Sequence, residues 1–267
     1  MRLLKLNDTG GFSLTSFSDK DIPKYAILSH TWGDANTEVT YGNLVDGAAE
    51  SKEGYQKLQF CGNQAKAEGI HWFWVDTCCI DKSNNNELTK AINSMFRWYQ
   101  NAAKCYVYLS DVSVYTQDGQ LKHLTWELAF RTSRWFTRGW TLQELLAPQI
   151  VEFYSRDHVR LGDKNSLMQQ IHEITGIAFE ALQGSPLSQF DVNERLRWSE
   201  KRQTTEEEDK AYCLLGIFNI NMPLIYGERE ASAMRRLMKE INESTNTQSY
   251  PSGTTLMNYF CNATDQY

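Results

Sequence analysis

Four short apolar runs, separated by segments of helical period, constrain this chain more than any other feature. They are residues 25–28 within PKYAILSHTWGD, then HWFWVDTCCI, KCYVYLSDV and IVEFYS. Apolar residues at nearly every position, rather than at alternate ones, suit strands buried on both faces of a parallel sheet. Between the first two runs, residues 55–68 place Tyr55, Leu58, Cys61 or Gly62, and Ala65 at helical spacing and close at Gly69. The next helix carries Leu88, Ile92, Met95 and Tyr99 on one stripe, with Asn86 as its expected cap. LTWELAFRTSRWF and RGWTLQELLAP are two helical pieces broken near residues 137–139, and Pro148 ends the second. The alternation predicts an α/β fold: a mainly parallel sheet with helices on its faces.

The flanks differ from this centre. RLLKL and FSLTSF around NDTGG predict an N-terminal hairpin. Residues 164–238 read as helical, with loops at Gly184-Ser185-Pro186 and Met222-Pro223. Within them, Thr204 with Glu207 and Thr205 with Glu208 form overlapping capping boxes. The acidic run 206–209 reads as a solvated first turn complementing the helix dipole. From 243 to 267 the chain turns polar and loses periodicity, as a linker or tail does. The expected organisation is one domain over 1–242, with a core at about 24–160 and a helical extension at about 164–240.

Several function classes are disfavoured. A formal net charge of −6 lacks the basic face that nucleic acid requires. No apolar run approaches a membrane span, and MRLLKLNDTGGF lacks the apolar core of a signal peptide. The six cysteines show no CxxC pair, so free thiols, no metal site and a cytoplasmic location are expected. GxxxxGK[ST], GxGxxG and GxSxG are absent from the sequence, which disfavours P-loop, standard dehydrogenase and hydrolase-elbow chemistry.

Ligands of open α/β sheets bind beyond the carboxyl ends of the strands. Three segments fall there: Ser29-His30-Thr31-Trp32-Gly33-Asp34, Asp76-Thr77-Cys78-Cys79-Ile80-Asp81, and Ser110-Asp111. His30 reads either as a site residue or as a loop histidine bonded to backbone, and Asp76 either as a site acid or as a turn cap. Cys78 and Cys79, on opposite faces of an expected strand, are buried thiols or nucleophiles partnered by His30. RGWTLQELLAP contributes Glu144, four residues from Trp140 on one helical face and surrounded by Leu142, Leu145 and Leu146. A carboxylate in such a wall needs compensation. Arg138 or His30 can keep it ionised, with Trp32 or Trp140 as a stacking surface. Alternatively, Glu144 satisfies backbone amides or pairs with Arg138 for structure.

YAILSHTWGD, WVDTCCIDK followed by NELTKAINSMFRWYQNA, RGWTLQELLAP and TTEEEDKAYCLLGIFNINMPLIYGE together resemble the blocks of the fungal heterokaryon-incompatibility (HET) domain. The blocks also resemble the N-terminal domain of incompatibility proteins that carry a nucleotide-binding module and WD repeats. HET domains are in turn distantly similar to Toll/interleukin-receptor (TIR) domains, which are flavodoxin-like and some of which hydrolyse NAD. Their catalytic helix bears Trp-Cys-x-x-Glu-Leu; here Trp140-Thr141-Leu142-Gln143-Glu144-Leu145 fits it with Thr141 in place of Cys. The resemblance implies a TIR-like core, a cell-death effector in vegetative incompatibility, and Glu144 as the catalytic residue. It implies NAD as substrate without a resident cofactor. Substrate contacts would come from Ser29, His30, Thr31, Trp32, Asp34, Asp76, Cys78, Arg138 and Trp140. Self-association, and nucleotide-binding and repeat modules further along a longer chain, are the implied partners. A non-enzymatic module acting by homotypic assembly is the alternative, and a Cys–His hydrolase a third.

Overall fold

Residues Arg2–Leu6 (β1) and Phe12–Ser16 (β2) form the expected antiparallel hairpin in this computed structural model, which describes residues 1–34, 36–115 and 126–248. The chain then enters β3 (Tyr25–His30), all six of whose residues are buried. Helices α1 (Tyr41–Val45) and α2 (Tyr55–Ala67) lead to β4 (Trp72–Trp74). After β4 come α3 (Asp76–Cys79), α4 (Asn85–Asn101) and β5 (Lys104–Leu109). Helices α5 (Trp126–Arg131) and α6 (Thr141–Leu146) precede β6 (Val151–Ser155) and β7 (Arg160–Asp163). The expected helical piece from Leu124 overlaps α5, but its first two residues lie outside the described residues.

The seven strands form one sheet in the order β2-β1-β4-β3-β5-β6-β7. The four central strands are parallel, and the hairpin and β7 pair antiparallel at the two flanks. From β3 the chain steps outward to β4 and then crosses back to β5 on the other side of β3, so the winding reverses between β3 and β5. Strand periodicity assigns the two faces. On one, Phe60 of α2 packs against Tyr106, Tyr108 and Tyr154, with ring centroids 6.5, 5.3 and 5.0 Å away. On the other, Trp135 and Phe130 meet Phe153 at 5.6 and 5.3 Å, and α4 and α6 complete the layer.

The structure corrects several local expectations. HWFWVDTCCI is a strand only over its aromatic part; the chain leaves the sheet at Val75, and Cys78 and Cys79 lie on a helical turn closed by Cys79 N donating to Val75 O. Asn84, not Asn86, caps α4, because its oxygen reaches the amides two and three residues on, at 3.1 and 3.2 Å. Strand β7 occupies residues to which the sequence pattern assigns no element. The capping boxes at Thr204 and Thr205 do not form. Thr204 bonds Glu206 O, Thr205 accepts from Arg138, and the helix starts only at Asp209.

The extension consists of α7 (Met168–Thr175), α8 (Phe179–Leu182), α9 (Val192–Glu200), α10 (Asp209–Tyr212), α11 (Leu215–Phe218) and α12 (Glu230–Gln248). It docks on the core where α11 crosses α4: a Cβ on Gly216 would lie 2.1 Å from Phe96 Cβ. The acidic run is solvated only at Glu206 and Glu207. Glu208 is buried and accepts from Gly227 N and Arg229 N, at 2.8 and 2.7 Å, in a bend where both residues have positive φ. Helix α12 continues through residues 243–248, where a tail was expected, and 249–267 lie outside the described residues. Among the described residues no helix is long and apolar enough to cross a membrane.

Candidate functional site

A cavity of about 1050 Å³ opens at the carboxyl ends of β3 and β4, beside the point where the winding reverses. His30, Trp32 and Glu38 line it from the loop after β3, and Asp76 and Lys82 from the segment after β4. Arg138, Trp140, Thr141 and Glu144 line it from α6 and its approach, and Thr205, Asp209 and Tyr226 from the extension. The extension is therefore a wall of the site.

Glu144 is 5% exposed on a helix buried at every position. The Ser29 hydroxyl donates to Glu144 Oε2, and Trp135 Nε1 donates to the Ser29 oxygen at 2.7 Å. Both Ser29 and Trp135 are fully buried. Burial above all, then the charge of Asp76, pushes the Glu144 carboxyl up to about 8, while Ser29, Tyr99 and Arg202 pull it back. At neutral pH it is therefore biased towards the neutral acid. Neither expected donor is in place. The Arg138 guanidinium runs across to Thr205 Oγ1 at 3.0 Å, and His30 faces Asp76. Arg138 precedes α6 and extends towards the wall made by the extension, which the local sequence does not reveal.

Asp76 is the second organising acid. Its Oδ2 accepts from Trp32 Nε1 at 2.8 Å and its Oδ1 lies 3.3 Å from His30 Nε2. It opens α3 in sequence, but its carboxylate serves two side chains instead of capping the turn. His30 is not a loop histidine tied to backbone: burial holds its imidazole well below the ordinary range, so it is neutral. Its Nδ1 is buried without a hydrogen bond among the described residues. Trp32 is half exposed, and the Lys82 ammonium sits 3.5 Å from its ring centroid. On the facing wall, Trp140 Nε1 donates to Asp209 at 2.9 Å and Tyr226 OH donates to the same carboxylate at 3.0 Å.

Of the expected site residues, His30, Trp32, Asp76, Arg138, Trp140 and Glu144 meet in this cavity. Ser29 does not line it; it lies beneath and acts through Glu144. Thr31 is buried against Ser110, 3.3 Å between hydroxyls, and Asp34 is exposed on the loop, away from the cavity wall. Cys78 is fully buried and its thiol is pushed well up by burial, so it supplies no thiolate for a Cys–His pair, and His30 is engaged by Asp76. Asp111 anchors the turn that carries Trp135, accepting from Ser133 Oγ at 2.8 Å and Arg134 N at 2.7 Å.

Sequence reading missed Trp135, Tyr99, Glu38, Lys82, Asp209 and Arg202. Trp135 and Tyr99 carry no signal beyond apolar period. Glu38 accepts from Gly33 N at 2.6 Å and pairs with Lys57, clamping the loop that bears Trp32. Among the described residues, no cluster of three His, Cys, Asp or Glu side chains can hold a metal ion. What the cavity offers is carboxyl groups, two tryptophans, a neutral imidazole and the cations Arg138 and Lys82 around one buried acid. That set suits a planar cationic group and stabilisation of positive charge developing beside Glu144.

Residues 25–127 match the family described as Heterokaryon incompatibility protein (HET). The chain is 56% identical over 244 residues to the vegetative incompatibility protein HET-E-1 of Podospora anserina, covering 91% of this chain and 18% of that relative. The chain thus spans under a fifth of the curated relative it matches. No solved structure matches it.

Proposed function

We propose that this chain, which belongs to the heterokaryon incompatibility family, is an effector domain of vegetative incompatibility that hydrolyses NAD at the nicotinamide–ribose bond. The observation that carries the reading is Glu144: a buried acid on the cavity wall, hydrogen-bonded from below by Ser29 and flanked by Trp140. The parallel strand order β4-β3-β5-β6 supports a TIR-like, flavodoxin-type core at about 24–160, with the cavity beside its switch point. The name of the relative, a vegetative incompatibility protein, supports the biological role.

In this reaction the C1′–N bond breaks and its electron pair goes to the nicotinamide nitrogen. Water adds to C1′ and loses a proton, giving nicotinamide, ADP-ribose and H⁺. The leaving group is already cationic, so it needs no acid. Positive charge passes to the ribose, where one carboxylate stabilises it, as in glycosidases that build an oxocarbenium-like transition state. The cationic ring favours ionised Glu144 on binding, so substrate itself charges the acid that burial holds neutral. Trp32, fixed by Asp76, and Trp140, fixed by Asp209, are aromatic surfaces for the bases, and Arg138 and Lys82 are cations for the diphosphate.

Activity is proposed to depend on clustering, through self-association and through modules beyond this chain in a longer protein, as effective concentration replaces affinity. The test is nicotinamide release from NAD by the purified chain, dilute and fused to an oligomer. Wild type is expected to cleave when clustered, and folded Glu144→Gln to be inert. Absence of NAD loss in the clustered state, with toxicity intact in cells expressing Glu144→Gln, would overturn the enzymatic reading in favour of homotypic assembly.

A further inference from the structure

The approach to α6 is laced to the helical extension. Gly139 N donates to Gln203 O at 2.9 Å and Gln203 N to Thr137 O at 2.6 Å, a parallel bridge between distant segments. The contact is close: a Cβ on Gly139 would lie 2.6 Å from Thr204 Cγ2 and 3.1 Å from Cys213 Sγ.

Arg202 fills this joint at 3% exposure. Its Nη1 donates to Arg138 O at 2.9 Å and to Thr141 Oγ1 at 2.8 Å, and its Nε to Trp198 O at 3.2 Å. Thr141 is the first residue of α6, one turn before Glu144. Lys210 donates to the Arg202 carbonyl, fixing the backbone from the other side. Among the described residues no carboxylate forms an ion pair with Arg202, and its Nη2 is buried without a hydrogen bond. An unpaired buried guanidinium is costly, and its field penetrates further in a dry interior than at a surface.

The geometry points to Arg202 as a positioning residue: it locks the first turn of α6 to the extension and holds a buried positive charge within electrostatic reach of Glu144. Movement of the extension therefore reaches the first turn of α6 through Arg202, beside the Gly139–Gln203 bridge and the Trp140–Asp209 hydrogen bond. The consequence for turnover rests on the NAD-cleaving reading; the coupling between positions 202 and 144 does not. The other groups facing Glu144 are Ser29 from β3, Asp76 from α3, Tyr99 from α4 and Cys105 from β5. Arg202 is a cation whose charge favours the ionised acid.

The experiment is a carbon-13 titration of the glutamate carboxyls in wild type, Arg202→Met and Arg202→Lys, with the Glu144 signal assigned by its loss in Glu144→Gln. In Arg202→Met the Glu144 midpoint is expected to rise, so that its ionised fraction at pH 7 falls about tenfold for a rise of one unit. NAD cleavage at pH 7 falls in parallel and recovers as pH is raised. Arg202→Lys keeps the charge but loses the fork. Its midpoint stays near wild type while amide exchange in 141–146 accelerates. A folded Arg202→Met with an unshifted midpoint overturns the inference. If Arg202→Met does not fold, unchanged exchange in Arg202→Lys overturns it instead. A shifted midpoint in a chain that never cleaves NAD leaves the coupling standing and removes the enzymatic reading.

Discussion

The Ser29 hydroxyl donates to Glu144 Oε2 and is steered there by Trp135 Nε1, which donates to the same serine oxygen at 2.7 Å. Two residues from different elements thus hold one carboxyl oxygen from beneath the cavity. Ser29→Ala is expected to raise the Glu144 midpoint and lower NAD cleavage at neutral pH. It also strands the buried Trp135 N–H, at a cost of about 1–3 kcal/mol, read by urea denaturation.

Glu144 carries a pH signature in stability. Its acid is held up to about 8 in the fold against an ordinary value of 4.5. The folded state therefore binds the proton more tightly than the unfolded chain. Relative to Glu144→Gln, wild-type stability is fully present below about 4.5 and declines as pH rises towards about 8. The slope between those limits is about 1.4 kcal/mol per pH unit. Melting curves of the pair from pH 4 to 9 check it; a pH-independent difference refutes it.

For NAD cleavage, the ionised carboxyl is the working form. With free Glu144 titrating at about 8, kcat/KM is expected to rise about tenfold per pH unit up to there and then level. The limb of kcat lies at lower pH, because a bound cationic ring favours the carboxylate.

Asp76 holds Trp32 and His30 with its two oxygens. In Asp76→Asn one of those oxygens becomes an NH2 donor and the oxygen that remains carries no charge, so the hydrogen bond that fixes Trp32 is weakened. The expected outcome is a raised KM for NAD from a loosened Trp32. Removing a negative neighbour of Glu144 also moves the kcat/KM limb to lower pH. Steady-state kinetics across pH separates the two effects.

Gly216→Ala is expected to unfold the joint between core and extension. Its Cβ would lie 2.1 Å from Phe96 Cβ, too close to be absorbed by rotation of the ring. Overpacking of this kind costs about 1–3 kcal/mol or more, seen as a lowered Tm.

Much of the core was legible along the chain. Tyr25–His30 and Lys104–Leu109 are strands because both faces are covered, which leaves a continuous apolar run in sequence. Where one residue has to turn the chain, the reading failed. Asp76–Cys79 leaves the sheet as a helical turn, and no composition signal separates it from the aromatic strand before it. Thr204 and Thr205 matched a capping pattern, but Arg138 and Glu206 O were better partners than the start of a helix.

The sequence by itself determined the alternation of strands and helices, the strand-end placement of His30, Trp32 and Asp76, and the oddity of Glu144 among leucines. Periodicity and local spacing are properties of neighbours in the chain, so they survive without the fold. Only the tertiary structure decided what surrounds that acid. Ser29, Trp135, Tyr99 and Arg202 are separated from it by up to 115 residues, and Arg138, close in sequence, points elsewhere. The ionisation of a buried carboxyl is set by desolvation and by charges a few ångströms away in space, and neither distance is written in the order of residues.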